Sequence, residues 1–362
     1  LSTAAAIRRA SQQARHAMER LDAAAMQELV RIYGEAAEQV RQAIAAASTG
    51  ARVLLEQLRA LMGQIEQVLD ALATARTAVL EGALQQAAEL GVRPLTAAGL
   101  AATGRAAAPA LTGLEALRVV DQAVRFVQEF RAADGLVLSD RLWRIDRGAK
   151  EALGRAIEQA VVQGWSADKA AQELLLRALP VPPATQAAQA AAAVDRVQGA
   201  AALLKDPQAG PLASSLQVTR TELNRAHGEA YMAGAEQAPG VVGFRFLLSP
   251  RHPKPDICDL LARQNLHGLG KGVYPTREAT PWPAHPNTLS FVVAVFADEV
   301  TDADRAGRET TLQALGRLAP ELRAGVLGPT KADYFDRGLL TRGMVRSKVS
   351  AVRERLQRRG VG

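Results

Sequence analysis

Residues 4 to 90 carry apolar side chains at helical spacing with almost no interruption, and this run constrains the fold more than any other feature of the chain. Met26, Leu29, Tyr33, Ala36 and Val40 recur by three and four. So do Leu54, Leu58, Leu61, Ile65, Val68 and Leu72, with the triplet STG at 48 to 50 between the two series. The pattern predicts two long helices folded back as a hairpin, or one arm with a break. Its apolar seam needs a cover, which is the other helix, a second copy of the chain or another protein. Composition points the same way: 48% of residues are apolar but only 4% are aromatic. Contacts between helices are then thin and rich in alanine, a residue of high helix propensity and small buried area. The expected fold class is mainly α.

Charge and cysteine usage narrow the function classes. The chain of 362 residues has 44 basic and 37 acidic side chains, a net charge of +7. That tolerates nucleic acid or an acidic partner without the charge density of a dedicated DNA-binding domain. A single cysteine excludes an internal disulfide framework and suits a reducing compartment. No run reaches the roughly 20 apolar residues of a membrane helix, and the stretch LSTAAAIRRASQQARHAMERL lacks the apolar centre of a signal peptide. The expectation is a soluble chain made in the cytoplasm with no membrane partner. It opens on Leu1, which implies that residues ahead of it were removed or left out of the numbering.

Beyond the helical arm at 1–90, Gly, Pro and Thr cluster at 91 to 113 as a loop or small capping region, and the helical pattern resumes with LEALRVVDQAVRFVQEF to complete a connecting segment at 91–134. Residues 135–178 read as a helical hairpin. Ser139 and Ser166 supply the start signals, Gly164 closes the first helix, and Trp165 plugs the GWS turn. Residues 179–213 are an Ala/Pro-rich linker or a loosely held helix. From 214 to 300 a helix (QVTRTELNRAHGEAYMAGAEQ) is followed by two strands. Alternating Phe244, Phe246 and Leu248 mark the first and SFVVAVF the second, which predicts a small antiparallel sheet packed on that helix. Between the strands lies an irregular loop at 249 to 291 that holds the only cysteine and three of the five histidines. Residues 301–362 return to helix and end in a basic tail with Arg346, Lys348, Arg353, Arg355, Arg358 and Arg359, opposed only by Glu354.

The order of the hairpin LSDRLWRIDRGAKEALGRAIEQAVVQGWS, the helix TRTELNRAHGEA, the Phe-rich strand, the Cys loop and then PWPAHPNTLSFVVAV resembles the phage head-morphogenesis family, the minor head proteins of the phage Mu F type. The likeness spans roughly residues 135 to 300. The Arg220, Glu222, Arg225 helix and the turn containing Pro286 and Asn287 are its most specific parts, and VLGPTKADYFDRGLLTRGMV resembles the segment that often closes such proteins. The resemblance implies a structural virion protein, present in few copies at the portal vertex or in the head interior and assembled in the cytoplasm of a host bacterium. It would be needed for head assembly and DNA packaging. The implied partners are the portal protein, major capsid or scaffold proteins and, non-specifically, packaged DNA. Self-association through the arm is a further expectation. An internal virion protein ejected with the genome is the first alternative. A toxin or nuclease carried on a head-morphogenesis module is the second, weakened because the roughly 60 residues after the module show no catalytic cluster. No enzymatic activity is expected.

Many members of that family carry a cysteine pair, or a His and a Cys, early in the loop, and then His-Pro-Asn-Cys followed one residue later by another Cys. That set suits a closed tetrahedral zinc site. Here Thr288 and Ser290 stand at the two late cysteine positions. Neutral hydroxyls are poor zinc ligands, so the expectation is a degenerate knuckle kept for its shape, with no resident cofactor. The alternative is a zinc site rebuilt from Cys258, His285, His252 and His267. The bare residues also allow Cys258 as a small buried side chain and His285 as a hydrogen-bonded turn residue. Glu222 and Arg225 share a helix face and Arg220 lies nearer the opposite side. They are expected to form a surface ion pair and to brace the Cys loop from beneath. Trp282, between Pro281 and Pro283, is expected as an exposed or interface anchor. The basic tail is a candidate contact for DNA or portal.

Overall fold

A computed structural model describes residues 3–47, 55–104, 110–132, 134–155, 201–250, 252, 254–288 and 290–360. The chain is mainly helical with one small antiparallel sheet, as its periodicity predicts. Helix α1 spans Thr3–Ala47 and α2 spans Leu55–Val92; the STG triplet between them lies outside the described residues. The predicted seam is real: Met26, Leu29, Tyr33, Ala36 and Val40 are all buried, as are Leu61, Ile65 and Leu72. On α2 the stripe passes through buried Leu69 rather than Val68. The chain itself covers these seams, so neither requires a second copy.

Within the stretch at 91 to 113, the described residues 91–104 form a small capping region. A 3₁₀ turn at Arg93–Leu95 leads into a short helix α3 (Ala97–Ala101), which Thr96 caps by accepting from the Gly99 amide. Helix α4 covers Gly113–Glu129, and α5 covers 138–155, the first arm of the predicted hairpin. The second arm, with Gly164, Trp165 and Ser166, and most of the Ala/Pro-rich linker lie outside the described residues. Helix α6 (Gly210–Ala235) carries the Arg-Thr-Glu segment.

By contact density the chain divides into two compact units. Leu1–Glu19, Gln85–Arg125 and Thr221–Gly362 form one, and Arg20–Leu84 with Phe126–Arg220 form the other. In the second unit, Tyr33 and Ser215 share a buried hydroxyl–hydroxyl bond of 2.6 Å, and Arg76 makes a bidentate pair with Asp146.

The first unit holds the sheet, with strand order β2-β1-β3 and both pairings antiparallel. Strand β1 (Val241–Leu247) pairs with β3 (Phe291–Phe296) in the register Phe244↔Ala294 and Phe246↔Val292, so alternation puts both phenylalanines on the fully buried face. The two-residue β2 (Val273–Tyr274) was not expected, and it approaches closely at Gly243, where a Cβ would fall 2.5 Å from the Tyr274 carbonyl oxygen. The stretch between β1 and β3 is therefore not simply an irregular loop. It also contains helix α7 (Ile257–Arg263), started by a reciprocal capping box in which Asp256 accepts from the Cys258 amide and Asp259 accepts from the Asp256 amide. After β3 come helices α8 (Asp302–Ala306), α9 (Thr311–Gly316), α10 (Pro320–Leu327), α11 (Pro329–Asp336) and α12 (Val349–Arg358). Leu260 of α7 sits in one core with Leu315, Met344, Val352 and Leu356, which docks the C-terminal helices onto the helix that carries Cys258.

Candidate functional site

The first turn of α7 places Cys258 against the turn that precedes β3. Its Sγ lies 3.2 Å from His285 Nε2 and 3.7 Å from Thr288 Oγ1. Asp256 completes the group, with Oδ2 3.1 Å from the same His285 nitrogen. The other ring nitrogen settles the tautomer: His285 Nδ1 faces the Pro286 carbonyl at 2.7 Å, and a carbonyl only accepts, so Nδ1 carries a proton. Sulfur, Nε2 and a carboxylate oxygen therefore converge on one point, and three electron-rich atoms at such distances need a cation or a shared proton between them. Burial pushes the Cys258 thiol up to about 11, so at neutral pH its S–H is available to donate to Nε2.

Asp256, Cys258 and His285 offer three ligand atoms within 4.8 Å of one another. A closed structural site needs four, and the fourth corner falls to Thr288, a neutral hydroxyl. Zinc bond lengths would also set sulfur and nitrogen about 3.6 Å apart across a tetrahedral edge; the 3.2 Å observed suits direct hydrogen bonding. The donor set does not make a closed zinc site.

The four residues of the alternative zinc set are not brought together. His252 is committed to Asp259, with Nε2 2.9 Å from Oδ2, and is joined to the cysteine group only through Asp256, whose Oδ1 lies 3.7 Å away. His267 stacks edge-on against Tyr274 at 5.8 Å between ring centroids, and burial and the nearby Arg308 and Arg342 lower its pKa. It cannot serve at Cys258. The two hydroxyls that stand at the late cysteine positions do face the thiol, however. Thr288 is 1% exposed and Ser290 3%, and Ser290 stands close enough to Cys258 to favour its thiolate.

The turn is held from below by α6. Asn224 Nδ2 donates to the Thr288 carbonyl at 2.9 Å, and Thr221 Oγ1 accepts from the Asn287 amide at 3.2 Å. Asn287 takes φ of 60°, a left-handed conformation that asparagine tolerates better than most residues, and this turns the chain back toward β3. Glu222 and Arg225 pair at 2.9 Å, but the pair is buried rather than on the surface, with Glu222 fully enclosed. Arg220 pairs instead with Asp22 at 3.2 Å. Pro286 and Asn287 remain exposed at the tip of the turn.

Trp282 is not an exposed anchor. Its indole packs edge-on against Phe246 at 5.9 Å, and its Nε1 donates to the Asn224 carbonyl at 3.2 Å. The peptide bond joining it to Pro283 is cis. In the basic tail, Arg346 donates to the Ala284 carbonyl at 3.0 Å and Arg358 pairs with Glu354 at 2.5 Å. Lys348, Arg353, Arg355 and Arg359 stay exposed on the outer side of α12, whose inner side buries Val352 and Leu356.

Compared with protein-family models, with curated proteins and with solved structures, the chain matches none.

Proposed function

We propose that the chain is a structural minor head protein of a tailed bacteriophage, acting at the portal vertex during head assembly and DNA packaging, and that the Cys258 loop is a metal-free knuckle kept as a scaffold. The observation that carries this reading is the packing of Thr288 and Ser290 around Cys258 and His285. In many members of the resembled family those two positions are cysteines, and here the turn closes on α7 by hydrogen bonds at Cys258. The brace from α6 and the anchoring of Ala284 by Arg346 make the knuckle a junction between the sheet and the C-terminal helices, a role in shape rather than in catalysis. The cationic outer side of α12 suits contact with an acidic portal surface or with packaged DNA.

The test combines two measurements on the purified full chain. Co-expression with the portal protein of the same virus, followed by size-exclusion chromatography, is expected to give a common peak; separate elution at micromolar concentration overturns the assignment. Metal content by mass spectrometry is expected to be well below one equivalent. Stoichiometric zinc that disappears in Cys258→Ser overturns the metal-free knuckle.

A further inference from the structure

In the first compact unit a cavity of about 280 Å³ opens between the first turns of α1, the end of α6 and strand β3. Its walls are mostly apolar, with Ala14, Pro94, Leu247, Phe291 and Val293 among them, yet it also takes three arginines, Arg8, Arg15 and Arg245, against a single carboxylate, Glu299. Arg8 is neutralised by Glu299, and Arg15 lies over the Phe291 ring at 3.7 Å while pairing with Glu19 at 3.5 Å. Arg245 has no ion pair among the described residues. Asp304, which is not among the residues lining the cavity, acts on Arg245 electrostatically.

A chain of hydrogen bonds runs along part of the wall. The Ala294 amide donates to Tyr231 Oη at 3.0 Å, Tyr231 lies 3.3 Å from Ser11 Oγ, and Ser11 donates to the Ile7 carbonyl at 2.8 Å. His227 Nε2 is buried and has no hydrogen-bond partner in the protein. It sits one helical turn before Tyr231, on the same face of α6. Ligand sites characteristically combine an apolar hollow with a few convergent polar groups of this kind.

We propose that this cavity binds a small organic acid, a compact carboxylate whose charged head meets Arg245, whose apolar body lies against Phe291 and Leu247, and which hydrogen-bonds to His227. An inorganic anion would leave the apolar wall uncovered, and a neutral ligand would make no use of a lining that sets three arginines against one carboxylate. Burial holds His227 down at about 4, so the imidazole is neutral at physiological pH and contributes a directional hydrogen bond rather than a second charge.

The test uses the full chain and the fluorescent aromatic sulfonate 8-anilinonaphthalene-1-sulfonate as probe. Saturable enhancement at one site is expected, displaced by millimolar benzoate and at least tenfold less effectively by benzyl alcohol, which has the same body without the charge. Arg245→Gln is expected to weaken probe binding at least tenfold with unchanged circular dichroism. A second readout is the His227 imidazole resonance, which should move on adding benzoate. The proposal is overturned if no saturable site exists, if benzyl alcohol competes as well as benzoate, or if neither Arg245→Gln nor the His227 resonance responds.

Discussion

Gly228 on α6 lies beneath Trp282 so closely that an added Cβ would sit 2.0 Å from the indole Nε1 and 2.6 Å from Cδ1. Real side chains never approach this near, so in Gly228→Ala the indole must move. It is confined by its edge-on contact with Phe246 and by its bond to the Asn224 carbonyl. Overpacking of this kind costs about 1–3 kcal/mol, and losing the indole hydrogen bond adds about 1 kcal/mol. Replacing a mid-helix glycine with alanine returns about 1 kcal/mol through helix propensity. The net expectation is a loss of about 1–3 kcal/mol, measured by urea denaturation followed by tryptophan fluorescence and circular dichroism. A double-mutant cycle isolates the cause. With Trp282→Ala already in place the obstacle is gone, and Gly228→Ala should then be neutral or stabilising by about 1 kcal/mol. Equal destabilisation in both backgrounds, or stabilisation of the unaltered chain, would refute the reasoning that this glycine exists to seat the tryptophan.

Three further outcomes are expected. Asn224→Ala leaves the Thr288 carbonyl without its donor and should cost about 1–2 kcal/mol in the same denaturation assay. In the second unit, Asp146→Ala strands Arg76, whose side chain is only 2% exposed, and should cost about 3–5 kcal/mol; adding Arg76→Met should recover most of it, and thermal unfolding of the two variants tests this. Cys258 should resist iodoacetamide at pH 8, reacting at least about 100-fold more slowly than in urea, because a thiol near 11 is about one part in a thousand thiolate there whereas an ordinary thiol near 8.5 is about a quarter. Mass spectrometry of timed samples measures both rates, and similar values would show that the thiol is neither buried nor protonated.

Much of the helical architecture was legible because period and burial coincide. The stripe from Met26 to Val40 is what a continuous helix must bury, and Phe244 and Phe246 alternate as a half-buried strand must. What escaped was decided at a distance. Strand β2 is two residues long and follows Gly272, too short to carry a period, and it pairs only because β1 offers an edge. Trp282, flanked by prolines, reads as exposed because nothing near it in sequence shows the notch left by Gly228 on another element. The knuckle was half legible. Cys258 and His285 stand out in the sequence as soft and borderline ligands, whereas Asp256 and Asp259 do not. Their spacing of three ahead of an apolar run is a capping-box signal that was there to be read. Thr221 and Asn224, also three apart, share a face of α6, yet only the fold shows that this face meets the turn.

The compact unit that holds the knuckle takes in both the first nineteen residues of the chain and everything after Arg220, whereas the other unit is complete once Arg220 has been made. Synthesis therefore imposes an order. At about 5–20 residues per second, the 142 residues from Thr221 to Gly362 take the ribosome roughly 7 to 30 seconds. During that interval the beginning of α1 has no sheet to pack on, and Arg8 waits for Glu299 and Ser11 for Tyr231. A stalled or prematurely terminated chain is left with every residue of one unit but with the other exposing an unpaired amphipathic helix, the kind of surface by which cellular quality control recognises an unfinished protein.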